Sequence, residues 1–182
     1  NKLKLVFVAD GSTDNSAAII KQYPRVELLY QEQREGKVAA INRAMGTVST
    51  EYVIFCDANT FLNKDCIREI IKHYKDDRIG AVAGEKKVVP PVTPGKPVKD
   101  GEGLYWKYES KLKQIDSDFY SVVGAAGELF SIRTKLFEPL LTNVLLDDFI
   151  ISMNICKKGY RVIYEPRAFA MEAPSLTMKD EL

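Results

Sequence analysis

Two acidic side chains directly follow apolar stretches of the sequence. Asp57 closes the run 52–56, and Asp10 closes the run 3–9. Small, oxygen-bearing residues come next in both places: Ala58-Asn59-Thr60 and Gly11-Ser12-Thr13-Asp14. In open α/β sheets, ligands bind in the crevice outside the carboxyl ends of the strands. The two acid-tipped strand ends therefore predict one site, which binds a phosphorylated ligand through a metal ion.

Size and composition predict a single soluble α/β domain. A chain of 182 residues, 46% of them hydrophobic, can bury a core without disulfides. The formal net charge of +1 gives no reason to expect a nucleic-acid partner. No apolar stretch approaches the roughly 18 residues that cross a bilayer. The three cysteines lack metal-ligand spacing, so we expect Cys56 and Cys66 to be reduced core residues in a cytoplasmic protein.

Strand and helix patterns alternate along the chain. The predicted strands are 3–9, 26–30, 52–56, 79–84, 129–132, 161–164 and 168–171. The predicted helices are 16–23, 37–45, one through 74 with Asn63 as its N-cap, 104–115, and one to 158 with Asp147 as its N-cap. A proline-rich stretch, 90–97, predicts an irregular loop. The alternation implies a largely parallel sheet flanked by helices.

Several short motifs resemble those of family 2 glycosyltransferases in order and spacing. They are residues 8–14, 36–42, 56–60, 146–149, 159–162 and 165–166. The resemblance covers nearly the whole chain and is to the catalytic domain of cellulose, hyaluronan and poly-N-acetylglucosamine synthases. It implies an α/β GT-A fold with a mostly parallel mixed sheet, truncated here at both ends. It also implies one catalytic domain, with a nucleotide-sugar-binding half (1–89) and an acceptor-side half (100–182).

The resemblance implies an inverting transfer of a sugar from a nucleotide-diphosphate donor, usually a UDP-sugar. The acceptor would be a saccharide or lipid-linked, in polysaccharide or cell-surface glycan synthesis. A Mg²⁺ or Mn²⁺ ion stabilises the departing diphosphate in such enzymes. Asp57 matches the first acidic position of the family's DxD motif, and Asn59 stands at the second. The Asn59 amide oxygen can still ligate the metal, or Asn59 bonds a ribose or phosphate through water.

Five further positions match family residues near the donor or acceptor. Asp10 is expected to contact the nucleotide base and ribose, and Lys37 to lie near the donor at a helix start. Asp148 matches the catalytic base, a carboxylate that accepts the acceptor's proton. Gly124 and Gly127 match a segment beside the acceptor sugar.

Most of these positions also have a purely structural interpretation. Asp57 could cap a turn, Asp148 could cap a helix, and Lys37 could be an exposed helix lysine. Gly124 and Gly127 could simply make a tight turn against the sheet. His73, the only histidine, is predicted on a solvated helix face, which argues against histidine chemistry.

Both ends of the family pattern are missing from the sequence. Relatives begin with an additional strand that carries a proline-asparagine-glutamate stretch, and they continue to a Gln-x-x-Arg-Trp motif. We therefore expect this fragment to be inactive by itself. Membrane helices flank the domain in the synthases, so the parent protein is expected to be attached to the cytoplasmic face of a membrane.

Three other functions are weaker alternatives. Residues 57–60 also resemble the nucleophile motif of haloacid-dehalogenase-type phosphatases, although Asn59 stands where those enzymes need a second aspartate. A dinucleotide-binding site is disfavoured because no G-x-G-x-x-G follows the first strand. The third alternative is an inactive nucleotide-sugar fold that serves as an interaction module.

Overall fold

Residues 3–88, 100–125, 127–142 and 144–172 are described by a computed structural model of the chain. The predicted proline-rich loop lies outside these residues. The chain divides into two compact units. The first contains Asn1–Thr50 and Glu138–Asp147, and the second contains Glu51–Phe137 and Asp148–Leu182.

The first unit is built on a parallel strand pair. Its elements are β1 (Leu5–Asp10), α1 (Ser16–Ile20), β2 (Val26–Gln31) and α2 (Lys37–Met45). The register of the pair runs from Leu5 opposite Val26 to Asp10 opposite Gln31. Helix α2 buries Val38 and Met45, which are seven positions apart and thus share one face. The acidic end of β1 therefore lies at the carboxyl end of a parallel pair, as the sequence predicts.

The second unit is built on a five-stranded mixed sheet in the order β3-β6-β5-β7-β4. Its strands are β3 (Tyr52–Cys56), β4 (Phe61–Leu62), β5 (Ile79–Val88), β6 (Leu129–Arg133) and β7 (Arg161–Glu172). Strands β4 and β6 run opposite to the other three. The helices are α3 (Cys66–Ile71), α4 (Asp100–Phe119) and α5 (Asp147–Lys157), with 3₁₀ turns at Lys72–Lys75 and Thr134–Leu136.

Strand β6 lies inside the five-stranded sheet, and its polar side chains have partners within the protein. All five of its residues are buried, because it lies between β3 and β5. Its two polar side chains have internal partners: Ser131 accepts a hydrogen bond from the Tyr74 hydroxyl (2.9 Å), and Arg133 donates to the backbone oxygen of Ile79 (2.8 Å). Buried polar groups that are paired in this way avoid a desolvation penalty of about 1–3 kcal/mol each.

The core of the second unit lies between α3 and the sheet. Its buried residues are Cys66, Ile70, Tyr74, Ile79, Val82, Leu129, Ile163, Ala168 and Ala170. On β5, a Cβ added at Gly84 would lie 2.5 Å from the Leu129 side chain, which only a glycine avoids. Burying a side chain such as that of Ile70 contributes about 1.5–3 kcal/mol.

The α/β class and the mixed sheet are confirmed. The prediction of a largely parallel sheet is wrong for the five-stranded sheet, because three of its four strand pairings are antiparallel. The other differences are local. The N-cap of α3 is Asp65 and not Asn63, whose side chain bonds the backbone of β7. The two strands predicted at 161–171 form one continuous strand, and the short β4 was not predicted. The division into donor and acceptor halves stays a prediction. Among the described residues, no helix combines the length and apolarity needed to span a membrane.

Candidate active site

Asp10 holds the loop that leads into α2. Its Oδ2 accepts hydrogen bonds from the backbone N–H groups of Glu35 (2.9 Å) and Gly36 (2.7 Å), and its Oδ1 accepts one from Arg43 Nη2 (2.9 Å). The Arg43 guanidinium and these backbone donors hold the pKa of Asp10 below its ordinary value. The carboxylate at the end of β1 therefore organises the start of α2 directly.

Two glycines allow this loop to approach the end of β1. Gly11 has a φ of +70°, and its N–H donates to the Gln31 carbonyl (2.9 Å). A Cβ at Gly11 would lie only 2.6 Å from the Cβ of Arg34. Gly36, directly before α2, has a φ of +93°. Both positions adopt the left-handed backbone that favours glycine, which accounts for the glycines in both motifs.

Lys37 is the first residue of α2 and faces an acidic residue in the same unit. Its Nζ lies 3.9 Å from Oδ1 of Asp147, and about half of the lysine side chain remains exposed. Asp147 is buried, and its Oδ2 has no hydrogen-bond partner among the described residues. The predicted N-cap role of Asp147 is wrong, because Asp147 is already the first helical residue of α5. Lys37 instead provides the nearby positive charge.

Asp57 begins a tight turn at the carboxyl end of β3. Its backbone oxygen accepts hydrogen bonds from the Thr60 N–H (3.3 Å) and the Thr60 hydroxyl (2.8 Å). The turn leaves Cys56 exposed, with its Sγ 2.8 Å from the Thr60 hydroxyl oxygen, whereas Cys66 is buried. The prediction that Cys56 belongs to the core is therefore wrong. The turn places Asp57 and Asn59 at the sheet edge, as predicted.

A carboxylate from β7 lies beside this turn. Asn59 Nδ2 donates a hydrogen bond to Oε1 of Glu172, the last residue of β7. Lys86 Nζ lies 2.8 Å from Oε2 of Glu172 and 2.6 Å from Oε1 of Glu128. The Lys86 ammonium holds the pKa of Glu172 below its ordinary value. Sequence reasoning missed Glu172, although it too is an acidic residue at the end of an apolar strand.

Asp57 and Asn59 fit a hard divalent cation by their chemistry. A carboxylate and a carboxamide offer the oxygen donors that Mg²⁺ and Mn²⁺ prefer. Within the described ranges, no group of three His, Cys, Asp or Glu residues could hold a metal ion by itself. Mg²⁺ commonly binds through one or two carboxylates together with the phosphates of a substrate. Asp57 and Asn59 suit such a shared site.

Asp148 and the predicted acceptor-side segment lie together in the second unit. Asp148 Oδ1 accepts a hydrogen bond from the Phe149 N–H (2.8 Å). The backbone oxygen of Asp148 accepts a hydrogen bond from the Ser152 hydroxyl (2.7 Å). The Ser152 hydroxyl oxygen in turn accepts one from the Ala125 N–H (3.2 Å). Gly124 has a φ of +87°, and a Cβ there would lie 3.2 Å from the Phe149 ring. These hydrogen bonds connect Ala125, in the predicted acceptor-side segment, to the first turn of α5.

The predicted site residues fall into three groups. Asp10 and Lys37 belong to the first unit. Asp57 and Asn59 lie at the end of β3 in the second unit, and Asp148 lies in the first turn of α5, where the neighbouring Phe149 packs against Gly124. Gly127 lies in the turn before β6. The convergence of the Asp10, Asp57 and Asp148 carboxylates around one hollow stays a prediction.

The sequence profile of glycosyl transferase family 2 matches residues 1–141. The chain belongs to this family. It is 25% identical to the poly-beta-1,6-N-acetyl-D-glucosamine synthase of Staphylococcus aureus (strain COL), over 92% of this chain and 42% of the synthase. The chain thus spans less than half the length of that relative.

Two solved structures show that this chain has the GT-A fold. The mannosyltransferase PcManGT from Pyrobaculum calidifontis, in complex with GDP-Man and Mn²⁺, matches with a TM-score of 0.80 and 22% identity, over 97% of this chain and 49% of that one. GalNAc-T7 with UDP, GalNAc and Mn²⁺ matches with a TM-score of 0.69 and 19% identity, over 96% of this chain and 38% of that one. At these identities, the likeness establishes the fold.

The single histidine of this family 2 chain contacts the buried carboxylate of Glu165. His73 Nε2 lies 2.7 Å from Oε2 of Glu165, which also lies 2.6 Å from Lys72 Nζ. Arg167 Nε contacts the other oxygen of Glu165 at 3.0 Å. The predicted solvated face is therefore wrong for His73, because its partner comes from a strand 92 residues away. These contacts join the end of α3 to β7.

Proposed function

We propose that this chain is the catalytic region of an inverting glycosyltransferase that moves a sugar from a UDP-sugar to a saccharide or lipid-linked acceptor. The observation that carries the proposal is the oxygen-rich turn at Asp57–Asn59, at the end of β3 in a family 2 chain. Similarity to a poly-N-acetylglucosamine synthase supports a role in polysaccharide or cell-surface glycan synthesis.

The first unit would bind the nucleotide. The start of α2 offers backbone N–H groups and the Lys37 ammonium, both of which attract a diphosphate. Asp10 already accepts three hydrogen bonds, and an ionised carboxylate has about four acceptor positions. Asp10 can therefore shape the loop and still accept one donor from a ribose or a base. Both tasks favour an ionised Asp10.

The end of β3 would hold the divalent cation. Asp57 and Asn59 provide the oxygen ligands, and Mn²⁺ in the complexes of two proteins with this fold supports the choice of metal. A bound Mg²⁺ or Mn²⁺ supplies positive charge that stabilises a departing diphosphate. The carboxylate of Asp57 also provides the negative charge needed to attract the cation.

Asp148 would act as the catalytic base. Its carboxylate would accept the proton of the acceptor hydroxyl while that oxygen forms its bond to the anomeric carbon. The bond from this carbon to the diphosphate breaks on the opposite face, which inverts the configuration. Gly124 and Gly127 would lie on the acceptor side, where the absence of side chains would let an acceptor sugar come close to the backbone.

We also propose that the protein works at the cytoplasmic face of a membrane. Its three cysteines, Cys56, Cys66 and Cys156, are all free thiols, which supports a reducing compartment. A lipid-linked acceptor would place the site at a membrane surface.

An inactive interaction module is the second candidate function. The observation in its favour is Lys86, whose ammonium lies between Glu172 and Glu128, next to Asn59. Lys86 pairs with both carboxylates, which lowers the negative charge available there to attract a divalent cation. The phosphatase alternative is not supported, because the chain belongs to a glycosyltransferase family.

Thermal-shift measurements separate these candidates. UDP, UMP, NAD and phosphate are each added to the chain with and without Mn²⁺. The transferase proposal expects stabilisation by UDP that grows when Mn²⁺ is added, because ligands that bind the native state stabilise it. Stabilisation by none of the four would favour the interaction module, and metal-dependent hydrolysis of a generic phosphate ester would revive the phosphatase.

A further inference from the structure

The strand register brings Glu172 to the proposed cation site. β4 pairs with β7 so that Phe61 lies opposite Met171 and Leu62 opposite Ala170. The next residue of β7 is Glu172, and the chain before Phe61 is the turn that contains Asn59. The contact between Asn59 and Glu172, which are 113 positions apart, is therefore a consequence of backbone pairing.

The chemistry of the two groups determines how the Asn59 carboxamide is turned. An ionised carboxylate can only accept hydrogen bonds, whereas a carboxamide has one donor end and one acceptor end. Nδ2 must therefore face Glu172, as the structure has it. Oδ1 of Asn59 is attached to the same carbon and points away from Glu172. Because Glu172 accepts from Nδ2, Oδ1 is the Asn59 atom that remains available to ligate a cation.

Glu172 is itself held in place from the other side. Lys86 Nζ lies 2.8 Å from its Oε2, while Asn59 uses Oε1. Each oxygen of Glu172 thus has its own donor. Lys86 also contacts Glu128 at 2.6 Å, so two strand ends and the turn are joined through one ammonium group. Glu128 shares Lys86 with Glu172 and has no recorded contact with Asn59, which makes it a matched control.

We propose that Glu172 is a positioning residue, which accepts the Nδ2–H of Asn59 and so turns Oδ1 toward the divalent cation. The inference rests on the proposed function and explains how an asparagine can serve at the second position of a DxD motif. Groups that orient metal ligands in this way affect metal affinity about 10–100-fold when they are removed.

The first experiment compares Glu172→Met with Glu128→Met. Mn²⁺ affinity is measured by isothermal titration calorimetry with the chain saturated in UDP, and UDP affinity is measured without metal. We expect Glu172→Met to weaken Mn²⁺ binding about tenfold while metal-free UDP affinity is unchanged. Glu128→Met, which removes the same charge from the same lysine, should have little effect. Equal losses in the two variants would overturn the positioning role.

The second experiment repeats the comparison in an Asn59→Asp background. A carboxylate presents an oxygen whichever way its end is turned, so Asp at this position needs no orienting partner. Glu172→Met should then no longer weaken Mn²⁺ binding. An undiminished loss in this background would mean that Glu172 acts through its charge alone, and the proposal would be wrong.

Two controls keep the outcome interpretable. Melting temperatures without ligand show whether each variant folds, and Glu172→Ala replaces Glu172→Met if the latter does not. An unaltered chain that shows no Mn²⁺-dependent UDP binding would refute the proposed function. If the unaltered chain shows such binding and Glu172→Met matches it, only the positioning role fails.

Discussion

Asn42 and Leu140 form a reciprocal pair of hydrogen bonds across 98 positions of sequence. Asn42 Nδ2 donates to the Leu140 carbonyl (2.8 Å), and the Leu140 N–H donates to Asn42 Oδ1 (2.9 Å). Both residues belong to the first unit. The pair fastens to α2 the segment 138–147, which leads to Asp147 at the start of α5. Asn42 closes the motif at 36–42, and this contact gives it a structural role.

Asn42→Ala should destabilise this segment. The substitution leaves the N–H and C=O groups of the buried Leu140 without partners, at a cost of about 1–3 kcal/mol for each group that stays unpaired. We expect faster amide hydrogen exchange at Leu140 and a lower free energy of unfolding in urea.

Asn63 offers a matched control for this prediction. It makes the same two-way contact in the second unit, donating to the Arg167 carbonyl (3.0 Å) and accepting from the Phe169 N–H (2.9 Å). Asn63→Ala should accelerate exchange at Phe169 and leave Leu140 protected. Unchanged exchange at Leu140 in Asn42→Ala would contradict the fastening role of Asn42.

Asp10 should make the stability of the chain depend on pH in acid. Its pKa is held below the ordinary 3.8, so its stabilising contribution is complete above that value. The contribution is lost as the pH falls through the lowered pKa of the folded state. Asp10→Asn turns an amide donor toward donors of Arg43 or the loop. Its urea midpoint should lie below that of the unaltered chain at pH 7, and the gap should narrow below about pH 4.

Glu35→Gln is the control for the acid dependence. The Glu35 carboxylate lies 3.3 Å from Nη1 of the same Arg43, but it makes no hydrogen bond to the loop backbone among the recorded contacts. In Glu35→Gln, the urea midpoint should therefore change between pH 7 and acid by essentially the same amount as in the unaltered chain. If the urea midpoint of Asp10→Asn lies as far below that of the unaltered chain in acid as at pH 7, ionisation of Asp10 is not the origin of the acid dependence.

Glu165 should be the most costly carboxylate to remove. Burial raises its pKa, but hydrogen bonds from Arg167, Lys72 and His73 more than reverse this and hold its pKa well below the ordinary range. Glu165→Ala removes the buried acceptor that these three side chains share, for which we expect a loss of about 1.5–3 kcal/mol in urea unfolding. Glu69→Ala removes a more exposed contact of Lys72 and Arg167 and should cost less. Equal losses would contradict the central role of Glu165.

Short-range sequence patterns were enough to predict the two strands and the helix that position the proposed site residues. Apolar runs ending in acids identified β1 and β3, and β3 is observed at the predicted residues. The helix predicted at 37–45 is observed as α2, because Gly36 and Gly46 flank a run with helical spacing. These features depend on neighbours within a few positions, which a sequence displays directly.

Side-chain partners from distant strands could not be predicted in this way. Glu172 reaches Asn59 across 113 positions, and Glu165 reaches His73 across 92. Such contacts depend on strand register, and a slip of one residue turns every side chain of a strand to the other face. The same reason applies to Cys56, whose exposure follows from the turn at Asp57 and not from its apolar neighbours.

Asp57→Ala should abolish the Mn²⁺-dependent part of UDP stabilisation. The substitution removes the carboxylate that we propose as the main protein ligand of the cation, while the nucleotide contacts of the first unit remain. Thermal shifts with UDP, with and without Mn²⁺, measure the two parts separately. Asp65→Ala, which removes a surface carboxylate paired with Arg68, is the control. A Mn²⁺ response that survives in Asp57→Ala would remove Asp57 from the site.

Asp148→Asn should stop sugar transfer and leave donor binding intact. An asparagine cannot accept the proton of the acceptor hydroxyl, and loss of a general base typically lowers the rate about 10²–10⁴-fold. Transfer is measured with the full-length protein, and UDP affinity with the chain.

The neighbouring Asp147→Asn is the control for this assignment. Asp147 is buried and lies 3.9 Å from Lys37, so its loss should affect the first unit and spare the proton transfer. Collapse of transfer in Asp147→Asn, with activity retained in Asp148→Asn, would move the base to Asp147. Loss of UDP affinity in Asp148→Asn would show that this residue serves the donor, because a base for the acceptor hydroxyl has no part in binding the nucleotide.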